Sequence, residues 1–304
     1  MPKKKIILLF GPTASGKSRL AIDIAKKYNC EIINADSMQI YKEIKVLSAR
    51  PGKSSIKHHF YGFVSAKDNF SVGTWYKLVS QKIKAINKKG KIALVVGGTG
   101  LYFRALTEGL VEMPDVPKLY KAKINPWGKY MLTKHYHNKH PGIFAGVNTN
   151  DLQRVYRAIN VFEHTGLTLH EWQQKKNKKY FKKSEFIKIC IIPPKQYLEE
   201  VIKKRFDVML KKGALKEVKD YRKKFIDTAT FVSANNIIGI YEIGLYLQDK
   251  ISLPDLQERV LIRTRQYAKR QYTWQRGQMK NWKTFKDTKY NDLLKKVLSF
   301  LSKT

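Results

Sequence analysis

Cysteine is scarce in this chain: Cys30 and Cys190 are its only two in 304 residues. Two distant cysteines exclude a disulfide scaffold and a cysteine-rich zinc site, and they read as reduced, buried thiols of an intracellular protein. Long apolar runs are also missing. Hydrophobic residues make up 43% of the chain, yet no stretch approaches the roughly 18 residues of a membrane span, so no membrane association is expected. The opening Met1-Pro-Lys-Lys-Lys, followed by Ile6–Phe10, imitates a secretory leader. The apolar run is too short for one and passes directly into Gly11, which favours a first β-strand and a cytoplasmic protein.

Acids are few as well. Against 60 Lys+Arg, 24 Asp+Glu leave a formal net charge of +36. A field of that sign favours polyanions, nucleic acid ahead of an anionic membrane surface. Lysine supplies 48 of the basic residues, as compositional drift also would, so the 12 arginines are the sharper probe. Five of them fall between Arg259 and Arg276.

What is present begins at "GPTASGKS", Gly11–Ser18. Gly11, Gly16, Lys17 and Ser18 have the spacing of a phosphate-binding loop between a strand and a helix. Such a loop turns backbone N–H groups and a helix N-terminus toward phosphate oxygens, with a lysine as point charge and a hydroxyl placed for Mg²⁺. The rest of an ATPase is absent: no second strand ends in a clear Mg-binding Asp followed by a hydrolytic Glu. "EIINAD", Glu31–Asp36, comes nearest. Taken alone, Asp36 reads equally as a strand-end turn. "GGTGLYFRAL", Gly97–Leu106, is a tight strand–helix turn or, with the Thr99 hydroxyl, a site for a second phosphate or a base.

Strands over residues 5–10, Glu31–Asp36, Lys91–Gly98 and Phe186–Pro194 alternate with helices over Lys17–Tyr28 and Tyr76–Asn87. That alternation predicts an α/β fold with a parallel sheet, whose ligands bind at the C-terminal strand ends. Gly11–Ser18, Asp36–Gln39 and Gly97–Gly100 should therefore meet at one site. From about Val111, prolines punctuate a Lys/His/Tyr-rich stretch, read as loop through His135, His137 and His140. A helix then opens at Asn150 or Asp151 and ends at Gly166. After Pro194 the chain is helical over Gln196–Lys212, Ala214–Phe225 and Leu253–Trp274. The division expected is a core of residues 1–112 and 183–304 around a mostly helical insertion, 113–182. On the last helix Arg263, Tyr267, Arg270 and Trp274 share a face, a basic and aromatic stripe suited to phosphates and unstacked bases or to a half-buried amphipathic helix.

In order, "GPTASGKS", "DSMQIY", His58-His59, "GGTGLYFRAL", "NDLQRVYRAINVFEHTG", "RFDVMLKKGALKEV", "IGIYEIGLYL" and "TRQYAKRQYTWQR" resemble the tRNA dimethylallyltransferases. The likeness runs from about residue 5 to 285. It departs at "VLSARP", Val46–Pro51, where the family usually has an Ile-Gly-Thr-Ala-Lys-Pro type sequence, and in a shorter stretch around 113–148. No Cys/His pair follows as in eukaryotic members, which implies the bacterial form.

The resemblance implies a P-loop NTPase-like core that moves a dimethylallyl group from dimethylallyl diphosphate to N6 of the adenine beside the anticodon. Gly11, Pro12, Thr13, Ala14, Ser15, Gly16, Lys17 and Ser18 would bind the diphosphate, Ser18 with Mg²⁺, and Arg205 would clamp it. Asp36 would be the general base and Thr99 would position the amine or the leaving group. Ser37, Met38 and Gln39, then Lys121, then Gln153, Arg154, Val155, Tyr156 and Arg157, and the Arg263, Tyr267, Arg270, Trp274 stripe would contact the tRNA anticodon stem-loop. A monomer is expected. The competing readings are prenylation of free adenine nucleotides and a P-loop kinase or RNA-binding NTPase.

Overall fold

Ile6–Phe10 forms β1, and all five side chains are buried, as on a parallel-sheet strand covered on both faces. The computed structural model describes residues 5–52, 54–68, 70–113, 126–225 and 233–304. After β1 come α1 (Lys17–Tyr28), β2 (Cys30–Asn34), β3 (His58–His59), α2 (Val72–Lys88), β4 (Ile92–Gly97) and α3 (Gly100–Glu108). Next are α4 (Pro126–Lys139), α5 (Leu152–Thr165) and α6 (Leu169–Gln174). The chain then returns through β5 (Phe186–Ile191), α7 (Lys195–Lys211), α8 (Ala214–Phe225), α9 (Ile240–Tyr246), α10 (Leu253–Gln278), β6 (Lys283–Phe285) and α11 (Tyr290–Ser302). Among the described residues six strands pair in parallel in the order β3-β2-β4-β1-β5-β6. Ile7 stands opposite both Leu94 and Ile187.

One side of the sheet packs Ile7, Leu9, Leu94 and Ile189 against Leu20 and Ile24 of α1 and Val297 and Leu301 of α11. A second core joins Ile44 and Leu47 to Phe206, Val218, Tyr221, Ile240 and Leu256. This core secures the segment after β2 to the C-terminal helices. Two compact units result. One comprises residues 1–107 and 180–304, the other 108–179, against the expected boundaries at 112/113 and 182/183. Tyr136, Ile143, Phe144, Val155, Ala158 and Ile159 form the core of the smaller unit.

Three corrections to the sequence reading concern this architecture. The His135–His137 stretch is helical, not loop: α4 starts at Pro126, a residue suited to the first helical position, and is held by buried Tyr136. The second strand ends at Asn34 rather than Asp36, because the Asn34 side chain takes over the next turn. The short strands β3 and β6, with α9 and α11, were not apparent from spacing.

Close approach, rather than flexibility, explains Gly97. A Cβ there would lie 2.0 Å from the Ala35 carbonyl oxygen, so the ends of β2 and β4 touch backbone to backbone. Gly97→Ala is expected to destabilise by about 3 kcal/mol, the upper end for overpacking, read as a lower Tm.

Candidate active site

The C-terminal ends of β1, β4 and β2 are stitched together by the backbone. Gly11 N–H donates to the Gly97 carbonyl at 3.1 Å, and Thr99 N–H to the Ala35 carbonyl at 3.1 Å. The three segments therefore form one site.

On the β1 side, Gly16 adopts a left-handed φ of 78° and opens α1 with no side-chain cap and no acid in the first turn. Uncapped helix N–H groups at such an end suit an anion. Ser15 Oγ is buried without a partner among the described residues, while the Ser18 side chain is exposed. Lys17 is buried, and its Nζ donates to the Pro12 carbonyl at 3.1 Å. Burial lowers its pKa to about 8; the Asp36 carboxylate opposes that shift and Arg205 adds to it. From α7, Arg205 Nη1 donates to Thr13 Oγ1 at 3.1 Å. Burial also pulls the guanidinium's pKa down, with Asp36 opposing.

On the β2 side, Asn34 makes the turn. Its Oδ1 accepts from Asp36 N–H at 2.9 Å, and its Nδ2 donates to the carbonyls of Asp36 at 2.9 Å and Phe60 at 3.0 Å. Asp36 Oδ1 then accepts from Met38 N–H at 3.0 Å, and Oδ2 has no hydrogen bond from a described residue. Thr99 Oγ1 accepts from Ser37 N–H at 2.9 Å and donates to Ser37 Oγ at 3.2 Å. The Tyr267 hydroxyl from α10 bonds Thr99 in turn; burial and the Asp36 charge push its pKa up. Tyr61 is raised for the same two reasons, burial first, and Tyr102 by burial, then Tyr41, then Asp36. The carboxylate thus sits among two cations and three neutral hydroxyls.

Behind this turn the segment before Pro51 is held by its backbone. Glu217 of α8 accepts from the N–H groups of Lys45, Val46 and Leu47 at 2.6, 2.7 and 3.0 Å. Gln39 donates from Nε2 to the Ser48 and Ala49 carbonyls at 2.9 and 3.4 Å.

Several residues expected at the RNA need reassignment. Gln39 is buried with its Nε2 committed to the carbonyls of residues 48 and 49, so it holds the loop. Val155 is 0% exposed in the core of the smaller unit and offers no surface. Gln153, Arg154 and Arg157 are exposed on α5 and Tyr156 is partly buried. Arg154 pairs with Asp151 at 3.2 Å. Arg263 pairs with the buried Glu242 carboxylate and so pins α10 to α9. Arg270 is exposed, while Trp274 lies against Gly100, where a Cβ would come 2.1 Å from its indole nitrogen. Lys121 lies outside the described residues. Asn34 was missed, although an Asn two residues before the turn is an Asx-turn signal. Gln271 and Glu217 had no local signal.

Among the described residues no three His, Cys, Asp or Glu side chains gather to hold a metal, and no helix is long and apolar enough to cross a membrane. His140 packs on Phe162, rings 4.2 Å apart.

By fold and site this is a P-loop α/β protein whose phosphate loop faces a carboxylate. A sequence model of the IPP transferase family matches residues 39–278, and one of isopentenyl transferases matches residues 4–68. A tRNA dimethylallyltransferase of Pelagibacter ubique is 43% identical over 302 residues, 97% of this chain and 96% of that relative. The solved tRNA isopentenylpyrophosphate transferase of Bacillus halodurans superposes with a TM-score of 0.71 at 25% identity, covering 99% of this chain and 96% of that one. A eukaryotic dimethylallyltransferase, solved acting on tRNA, gives a TM-score of 0.71 at 28% identity over 90% of this chain and 70% of that one. The chain belongs to the IPP transferase family, that of the tRNA dimethylallyltransferases.

Proposed function

We propose that this protein transfers a dimethylallyl group from dimethylallyl diphosphate to N6 of the adenine next to the anticodon of tRNA, releasing diphosphate. The observation that carries this reading is the junction of β1, β2 and β4, where a phosphate loop with Lys17 and Arg205 meets the Asp36–Thr99 pair. Membership of the family favours it over prenylation of free nucleotides and over a kinase.

The allylic C–O bond breaks with its electron pair leaving on the diphosphate. Loop N–H groups, the N-terminus of α1, Lys17 and Arg205 meet the charge that develops there. A planar guanidinium is suited to a diphosphate fork. The bond that forms is N6–C, and the proton N6 loses goes to Asp36, whose Oδ2 accepts no hydrogen bond from a described residue while Oδ1 accepts from Met38 N–H. Thr99, fixed by Ser37 and Tyr267, orients the amine. The adenine must leave its stack to reach this turn.

The exposed Ser18 hydroxyl beside an oxygen-rich substrate suits Mg²⁺, a hard cation that takes few protein ligands and shares phosphate oxygens. When bound there, Mg²⁺ would add charge favouring departure of the diphosphate. The excess of basic residues supports an RNA-binding enzyme, and we take the cytoplasm as its compartment because its proposed substrate is tRNA. The chain acts here as a monomer.

The test incubates the protein with labelled dimethylallyl diphosphate and Mg²⁺, offering unmodified tRNA, AMP or ATP. Label in tRNA supports the reading. Label only in nucleotide, or ATP hydrolysis without transfer, refutes it. Arg270→Ala is expected to weaken RNA binding and reduce the salt slope by about 0.7–1, as for one lost phosphate contact. Titrations at several salt concentrations check this.

A further inference from the structure

Helix α10 lays three side chains on the site, and the middle one has no part in the chemistry described so far. Gln271 is 4% exposed. Its Oε1 accepts from Thr13 N–H at 2.8 Å, and its Nε2 donates to the Gly98 carbonyl at 2.9 Å. One side-chain amide therefore joins the loop after β1 to the turn after β4. The contact is close: a Cβ at Gly98 would lie 2.2 Å from Nε2. Thr13 is consequently held from two directions, its N–H by Gln271 and its hydroxyl by Arg205. A group that must accept from one partner and donate to the other at this spacing is met by glutamine and by a protonated glutamic acid, but not by glutamate or methionine.

We infer that Gln271 is a positioning residue: it holds the diphosphate loop and the Gly97–Gly100 turn in fixed register, so that the allylic carbon faces the amine oriented by Asp36 and Thr99. This inference rests on the prenyl-transfer reading above. Without the amide, Thr13 N–H and the Gly98 carbonyl lose each other's reference point. A misplacement of about 1 Å between reacting groups costs about 10²-fold in rate. The neighbouring Arg270, exposed, keeps its place toward RNA.

Wild type, Gln271→Met and Gln271→Glu of the full chain are compared. Readouts are steady-state transfer to an unmodified anticodon stem-loop across pH, binding of inorganic diphosphate, and thermal melting. For Gln271→Met the expected result is a kcat lower by about 10–10²-fold and weaker diphosphate binding, with KM for RNA changed by less than about two-fold. For Gln271→Glu the deficit relative to wild type should narrow as pH falls, because the protonated carboxyl restores both bonds. Gln271→Met with kcat and diphosphate affinity within about two-fold of wild type, or with losses matching its unfolded fraction, overturns the inference. So does a Gln271→Glu pH profile parallel to wild type, and that profile decides should the methionine variant not fold. A wild type that binds diphosphate but transfers nothing to RNA refutes the prenyl-transfer reading; the diphosphate affinities of the variants then still decide the role of Gln271.

Discussion

Asp36→Asn is expected to lower kcat for prenyl transfer by about 10²–10⁴-fold, the range associated with a positioned general base. The substitution keeps the shape of the turn, since Oδ1 can still accept from Met38 N–H and the Asn34 bonds involve only the Asp36 backbone. Binding of an anticodon stem-loop should therefore be near that of the wild type. The discriminating measurement is single-turnover transfer with saturating RNA alongside direct RNA titration. A variant that transfers at the wild-type rate would remove Asp36 from the proton path. One that loses RNA affinity in parallel would make it a binding residue instead.

Lys17→Met is expected to cost about 10²–10³-fold in kcat/KM for the prenyl donor, as for a preorganised group aimed at developing charge. The wild type should show the same dependence through pH. Burial disfavours the charge of Lys17 and lowers its pKa to about 8. Below that pH the ammonium is present for the diphosphate; as pH rises through about 8 it is lost, and kcat/KM for the donor falls. A bound diphosphate favours the charged form, so kcat should hold to higher pH than kcat/KM. The linkage sign separates this from unfolding. Between about 8 and the ordinary lysine value of 10.5 the unfolded chain binds more protons at this lysine than the folded one does, so its contribution to stability rises with pH. The loss is of donor binding, not of fold.

Local chemistry was legible in the sequence, and tertiary chemistry was not. The β1–loop–α1 segment could be placed because glycines, an apolar run and a helix start lie within a few residues of one another. The convergence of Asp36 and Thr99 on that loop followed from a general property of parallel sheets. Val155 was misplaced because a family segment carries both surface residues and the residues that hold the surface in place. At Arg263 a correct helical face met an unforeseen buried carboxylate, Glu242. Gln271 was unreadable for a different reason: its partners, Thr13 and Gly98, are 258 and 173 positions away, and a glutamine between Arg270 and Tyr272 looks like any other. The helix α4 carries too weak an apolar stripe to distinguish it from loop.

The departure at Val46–Pro51 acquires a physical meaning. Glu217 grips Lys45, Val46 and Leu47 through their amides, and Gln39 grips residues 48 and 49 through their carbonyls. Neither contact senses which side chain is attached. Those backbone bonds survive a change of spelling, so the side chains that still matter behind the Asp36 turn are few: Leu47, buried in the second core, Ser48, whose Oγ donates to the Ile44 carbonyl, and Arg50, whose guanidinium donates to the Tyr41 carbonyl.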